Sequence, residues 1–435
     1  MERVRSASWF REKTAGPEGK ARLVSAVCLV LVSVVALEEI IRWALVWNAT
    51  AFFTVLLLQC LVLLFTAGAL FTGCAFFHAV ACGIAFAAGF FCNYFPTLLD
   101  NLALFLSAAF SLIAFVLALI FAIKAKTFFT KTVLWFLLPV FVLAVVLIPL
   151  HGGLAAADKN STEYDHQRYA VPSSLDGEES AEKGTVVSLT YDTKAYATDG
   201  RDVTKTAYVY LPYGYSEENS YDILYLMHGT GDVETYWLVE NEYNVTMLDN
   251  MIRLGIIDPL IVVTPTWYTE DDYVNDPDVL TYYFGDELRS DLMPVVEAAY
   301  STYAEDCTEE GFAASRTHRA FAGLSRGAST TLRSVMHGNL DYFSSYGTFS
   351  GSWVEDIDEF VEELEDSGYG IDLWYITGGN FDFALYSQLS DLKKILKKTD
   401  AFVMDENVFL DVYPLRYHSM GSWHLALYNF LLEAF

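Results

Sequence analysis

Two hydropathy patterns meet near residue 151. Before that point apolar residues run in long blocks, at about 23–46, 50–72, 74–94, 102–123 and 132–150. Each is close to the ~20 residues a helix needs to cross the hydrocarbon core. Five membrane-spanning helices are therefore predicted over residues 1–151. Only Glu38, Glu39 and Arg42 interrupt the first block; Glu38 and Arg42 are four apart and can pair on one helix face. After residue 151 the texture changes. Residues 152–184 are small, polar and acidic and read as a flexible linker. Next, VVSLTYDT and TAYVYLP alternate apolar and polar positions, the period of half-buried strands. DILYLMHG, LIVVTPT, RAFAGLS and LWYITGG are short apolar runs, as expected of parallel strands covered on both faces. Helical patterns separate them: LRSDLMPVVEAAYSTYA, TTLRSVMHGN, DIDEFVEELEDSG, SQLSDLKKILKKT and the closing HLALYNFLLEAF. Strands alternating with helices predict an α/β fold with a doubly wound, mostly parallel sheet over residues 185–435, preceded by an all-α transmembrane domain.

Charge sharpens the division. The protein combines a net charge of −28 with a mean hydropathy of +0.29, an odd pairing for one domain. Residues 1–151 hold 10 Lys/Arg against 6 Asp/Glu, whereas the remainder holds 17 against 49. Arg3, Arg5, Arg11, Lys13, Lys20 and Arg22 precede the first block, and Lys124, Lys126 and Lys131 precede the fifth. The positive-inside rule puts both segments in the cytoplasm. Five spans then leave the acidic domain outside a cell membrane that the chain crosses repeatedly, with the lipid bilayer as one partner. A cleaved signal peptide over Met1–Ala36 fits poorly, because four more apolar blocks follow at once. The acidic balance excludes nucleic acid, whose phosphates it would repel. Cys28, Cys60, Cys74, Cys82 and Cys92 fall in the apolar blocks and leave Cys307 alone in the outer domain, so no disulfide is expected there. No C-x-x-C or His-x-x-x-His pair points to a metal, and no cofactor is expected.

The chemistry centres on Gly323-Leu324-Ser325-Arg326-Gly327, a G-x-S-x-G run at the end of an apolar strand and the start of a helix. Ligands of doubly wound sheets bind beyond the carboxyl ends of the strands, which is where Ser325 falls. Small residues on both sides allow a tight turn that exposes the hydroxyl as a nucleophile; a serine N-cap is the competing reading. In α/β hydrolases the order is Ser, then Asp or Glu, then His. Of eight histidines, only His418 and His424 follow the last strand, NVFLDVYP. His418 lies in the loop RYHSMG and is the candidate base, while His424 lies in the closing helix and is expected to pack there. Asp382, in GGNFDFA, is the first carboxylate beyond LWYITGG and the candidate acid, with Asp391 as fallback. His228-Gly229 follows the strand DILYLM. The loop after that strand supplies one backbone donor to a developing oxyanion, and the residue after the nucleophile supplies the other. The loop donor is assigned to Thr230, with Gly231 one step away, and the second donor to Arg326. Trp237, Trp267, Trp353 and Trp423 lie near predicted strand ends and are candidates to stack on a sugar or an aromatic acid; core packing is the alternative.

The region from about Gly184 to Phe435 resembles the esterase D-like branch of α/β hydrolases, which includes carbohydrate esterase family 1 feruloyl and acetyl xylan esterases. The matching stretches occur in order: VYLPYGYSEENSYDILYLMHG, LIVVTPT, LMPVVEAAYST, SRTHRAFAGLSRG, TFSGSW, ITGGNFD and HSMGSWHLALYNFL. In that family the base histidine precedes a Trp by five residues and an Asn-Phe pair by eleven. His418, Trp423, Asn429 and Phe430 keep this spacing, and His424 does not. GGNFD has one residue more than the family's usual acid turn, and Arg326 stands where Met is common. The resemblance implies ester hydrolysis through an acyl-enzyme on Ser325, with carbohydrate-linked esters as the expected substrate. Five spans exceed what tethering needs, so an acyltransferase acting on envelope glycans or lipids is the second expectation. A non-catalytic sensor or scaffold ectodomain is the third.

Overall fold

The computed structural model describes residues 157–164, 169–177, 180–269, 277–379, 382–413 and 416–435, together with Leu61 and Leu64. Apart from Leu61 and Leu64, the five predicted membrane spans lie outside the described residues; among those described, no helix is long and apolar enough to cross a membrane. The chain divides into two units, Met1–Gly153 and Leu154–Phe435, and the predicted catalytic residues all belong to the second.

The described strands form one sheet: β1 (Thr185–Lys194), β2 (Asp202–Leu211), β3 (Asp222–Met227), β4 (Leu260–Thr264), β5 (Arg319–Leu324), β6 (Ser345–Phe349), β7 (Leu373–Gly379) and β8 (Val408–Tyr413), in the order β1-β2-β4-β3-β5-β6-β7-β8. β1 pairs antiparallel with β2, and β2 antiparallel with β4; β4 onward is parallel throughout. This is an α/β-hydrolase-like sheet. Side chains alternate across it, as strand geometry requires. From β5, Ala320, Ala322 and Leu324 enter one core with Leu224, Leu226 and Phe349. Phe321 points the other way, toward Phe284 and Phe343. The first face is covered by two helices, Tyr243–Arg253 and Met420–Ala434, whose Met247, Leu248, Met251, Leu427, Phe430 and Leu431 are buried in that core. Burying each such side chain is worth about 1.5–3 kcal/mol over exposure.

The stretch read as a linker is not free along its length. A helical turn at Ser173–Asp176 buries Leu175 in the first core, and Asn250 donates to the Leu175 carbonyl at 2.9 Å. Gly184 N–H donates to Asp249 at 2.8 Å. The polar composition concealed two isolated apolar anchors, Val171 and Leu175, which are enough to dock the segment. The sequence pattern also passed over the helices Tyr243–Arg253 and Pro277–Glu287 and the central strand Ser345–Phe349.

Candidate active site

The site assembles at the carboxyl ends of β3, β5, β6, β7 and β8, where successive loops meet. Ser325 follows β5 directly with φ 53° and ψ −115°, a backbone state that costs a non-glycine residue about 1–3 kcal/mol. Its neighbours make the turn feasible. A Cβ on Gly323 would collide with Gly327 backbone, one on Gly327 would sit 2.5 Å from the His228 carbonyl, and one on Gly351 would strike the Ser325 carbonyl. The Ser325 N–H is tied to the Phe349 carbonyl of β6 at 2.8 Å. The elbow is thus wedged between β3 and β6, and the hydroxyl faces the loops.

His418, between β8 and the closing helix, places Nε2 2.9 Å from Ser325 Oγ. Its Nδ1 lies 2.9 and 3.1 Å from the two oxygens of Asp382. The Asp382 side chain is fully buried, and one of its oxygens also accepts from the Ala384 N–H at 2.9 Å. An ionised carboxylate only accepts, so Nδ1 carries the imidazole proton and Nε2 is left to accept from serine. Phe383 packs on the imidazole at 4.3 Å, and Trp423 meets it edge-on at 4.9 Å. The ring therefore has two walls besides its hydrogen bonds. The loop from β7 comes this close because Gly379 has no side chain; a Cβ there would overlap the Arg416 carbonyl.

The other candidates divide. Asp391 lies on the helix Leu385–Ile395 and accepts from Ser352 at 2.8 Å, steadying the loop after β6 rather than the imidazole. His424 is buried in the closing helix with Nδ1 2.6 Å from Asn244 Oδ1. Trp237, expected as a substrate contact, is 0% exposed and donates to the Met227 carbonyl at 3.0 Å. It is a core residue, because its indole caps the end of β3 from the covered face. Trp423 is likewise buried, and its role is to brace His418. Trp267 is buried against His228 at 4.4 Å. Trp353 alone of the four stands open, at 53% exposure and φ 136°.

The loop after β3 is fixed by an unusual histidine. His228 is buried, with Nδ1 2.8 Å from the Gly229 carbonyl and Nε2 2.8 Å from Thr266 Oγ1. A carbonyl only accepts, so Nδ1 donates and Nε2 receives the threonine proton. Burial pushes the His228 pKa down to about 3, against a usual 6.5. Gly229 abuts the nucleophile: a Cβ on it would lie 2.5 Å from Leu324 Cδ1 and 3.2 Å from Ser325 Cβ. Gly231 N–H donates to the Tyr268 hydroxyl at 3.3 Å, whereas among the described residues nothing accepts from the Thr230 N–H. That difference favours Thr230 over Gly231 as the open donor.

The depressed pKa gives a signed prediction. Neutral imidazole favours the folded state above the unfolded pKa of 6.5, and that contribution is lost as pH falls toward about 3. The loss is on the order of 5 kcal/mol. His228→Gln, which cannot titrate, is expected to show a flatter fall of thermal midpoint between pH 7 and pH 4 than the wild type. Parallel curves for the two proteins would contradict this assignment.

Two partners had no sequence signal. Asp278, on the helix Pro277–Glu287, is bonded by Arg326 and, at 3.2 Å, by Arg333. Arg333 also donates to the Trp353 carbonyl at 2.8 Å and lies over the Tyr282 and Trp353 rings at 4.5 and 5.3 Å. DPDVL matches no motif, and only the fold brings it above the elbow.

Comparison with known proteins agrees with this geometry. The esterase family model matches residues 201–369. The chain is 41% identical over 170 residues to endo-1,4-beta-xylanase Y of Acetivibrio thermocellus, covering 39% of this chain and 14% of that one. It is 33% identical over 168 residues to an endo-1,4-beta-xylanase/feruloyl esterase of Xylanibacter ruminicola, covering 37% of this chain and 21% of that one. The chain thus spans only a small part of the length of these curated relatives. Among solved structures, a serine-to-alanine mutant of the feruloyl esterase module from Clostridium thermocellum, complexed with sinapinate, is similar with a TM-score of 0.54 and 32% identity. That match covers 63% of this chain and 96% of the module. With nearly the whole of that module matched, a strained serine after the central strand and a histidine bonded to both serine and aspartate, the chain belongs to the esterase family.

Proposed function

We propose that this protein is a membrane-anchored, extracytoplasmic serine esterase that hydrolyses acyl or feruloyl esters of carbohydrates. The observation that carries the chemistry is the continuous hydrogen-bonded line from Asp382 through His418 to Ser325, with the serine on a positive-φ elbow. His418 Nε2 takes the Ser325 proton as Oγ bonds to the ester carbonyl carbon. Asp382 holds the imidazolium that results. The N–H groups of Thr230 and Arg326 receive the oxyanion. As the tetrahedral species collapses, His418 returns the proton to the departing sugar alcohol and the acyl group stays on Ser325. Water then enters by the same route in reverse and releases the acid. Trp353 is exposed and joined to Arg326 through Arg333 and Asp278, and it offers an aromatic ring for the sugar or the acyl group.

The anchoring rests on the five apolar blocks and the basic segments before the first and fifth. The feruloyl esterase relatives support the substrate class.

One experiment addresses substrate and location together. Intact cells expressing the full chain are given a membrane-impermeant feruloylated xylo-oligosaccharide, beside cells carrying Ser325→Ala. Release of ferulate by the intact wild-type cells alone is expected. Release only after lysis would overturn the outward placement. Lack of release before and after lysis would overturn the ester class, and acyl transfer to an added sugar alcohol in place of release would favour the acyltransferase.

A further inference from the structure

The two oxyanion donors, Thr230 and Arg326, sit on different loops, and their separation has to be held to a fraction of an ångström for both to reach one oxygen. Thr230 lies in a Gly-Thr-Gly loop. Gly229 packs too closely against Leu324 to carry a side chain, and its carbonyl accepts from the Asp232 N–H at 3.3 Å, whereas Gly231, at φ +86° with open space around it, leaves the far side of Thr230 with wide intrinsic freedom. Thr230 itself is exposed and has no core packing to fix it. The loop is pinned at its ends by His228 to the Gly229 carbonyl and by Tyr268 to the Gly231 N–H. At its centre, Arg326 Nε donates to Thr230 Oγ1 at 2.8 Å. The far side of the same guanidinium is bonded to Asp278, and the Arg326 side chain is 22% exposed.

We infer that Arg326 acts twice in this esterase: its backbone N–H is one oxyanion donor, and its side chain is a positioning clamp that fixes the other donor, Thr230, at the working distance. Asp278 anchors the clamp from the helix Pro277–Glu287 and balances its charge. The inference rests on the reading of Ser325 as nucleophile and of these two N–H groups as the oxyanion site. Arginine suits the role because one planar group can hold two acceptors in different directions. Methionine at this position would fill similar space with no donor.

A clamp on a donor acts when charge develops on the oxygen, so its loss lowers kcat more than it raises KM. Removing an oxyanion donor outright costs about 10²–10³ in kcat, and a loosened donor should cost roughly 10–100-fold. The full-length protein is assayed on a soluble feruloyl ester as wild type, Arg326→Met, Thr230→Val, the double variant and Thr230→Ser. Thermal midpoints are taken alongside, and each protein's affinity for a boronic acid that forms a tetrahedral serine adduct is measured. Expected are roughly 10–100-fold lower kcat in Arg326→Met and in Thr230→Val, with KM within about threefold. The double variant should fall no further than the worse single variant, Thr230→Ser should recover most of what Thr230→Val loses, and boronate affinity should weaken in step with kcat. Wild-type kcat in Arg326→Met, additive losses, or a loss confined to KM would overturn the clamp while Ser325→Ala remains inactive. An active Ser325→Ala would overturn the parent reading and the clamp with it.

Discussion

Ser325→Ala is expected to lower kcat on a feruloyl or acetyl ester by roughly six orders of magnitude, the scale seen when a triad nucleophile is removed. The size follows from the geometry. His418 Nε2, 2.9 Å from Oγ, has no other hydrogen-bond partner among the described residues, so the base and its acid are left with nothing to activate. Folding should survive the change. The positive φ at Ser325 is held by the close approaches at Gly323, Gly327 and Gly351 and by the bond from Ser325 N–H to Phe349. Alanine keeps that N–H and fits the same space. Steady-state kinetics together with a thermal midpoint check both halves. A folded Ser325→Ala protein with more than a few per cent of wild-type kcat would remove the serine from the chemistry.

Asp382→Asn is expected to cost about 10⁴ in kcat with little change in KM. The carboxylate accepts from His418 Nδ1 at two oxygens and from the Ala384 N–H. An amide would turn its NH₂ toward Nδ1, which drives the imidazole proton to Nε2, the atom that has to accept from serine. It would also leave the imidazolium of the first step without a counter-charge. Asp391→Asn provides the contrast. Asp391 is the alternative acid that sequence order allowed, but its partner is Ser352 at 2.8 Å, so a loss below about tenfold is expected. Equal losses in the two variants would mean that the acid has been misplaced.

How much of this was legible in the sequence depended on the kind of signal. Strands such as RAFAGL and LWYITGG were readable because both of their faces are covered, which leaves an unbroken apolar run. Ser325, His418 and Asp382 could be singled out because chain order and strand ends restrict where catalytic groups can stand. Tryptophans carried no such restriction: Trp237 and Trp353 look alike as letters, yet one is buried in the core with its indole bonded to the last carbonyl of β3 and the other faces solvent. Asp278 was invisible because its partners, Arg326 and Arg333, are about fifty residues away and meet it only through packing. The turn at Ser173–Asp176 was missed because two apolar side chains among polar ones form no period.

The proposed mechanism requires Ser325 to carry the acyl group between the two half-reactions. The most direct measurement is mass spectrometry of the full-length protein after brief reaction with a slowly deacylating feruloyl ester, followed by peptide mapping. A single acyl adduct is expected on the peptide containing Ser325, absent from Ser325→Ala and released by water over time. An adduct on another residue, or turnover of the ester without any adduct and undiminished by Ser325→Ala, would contradict it.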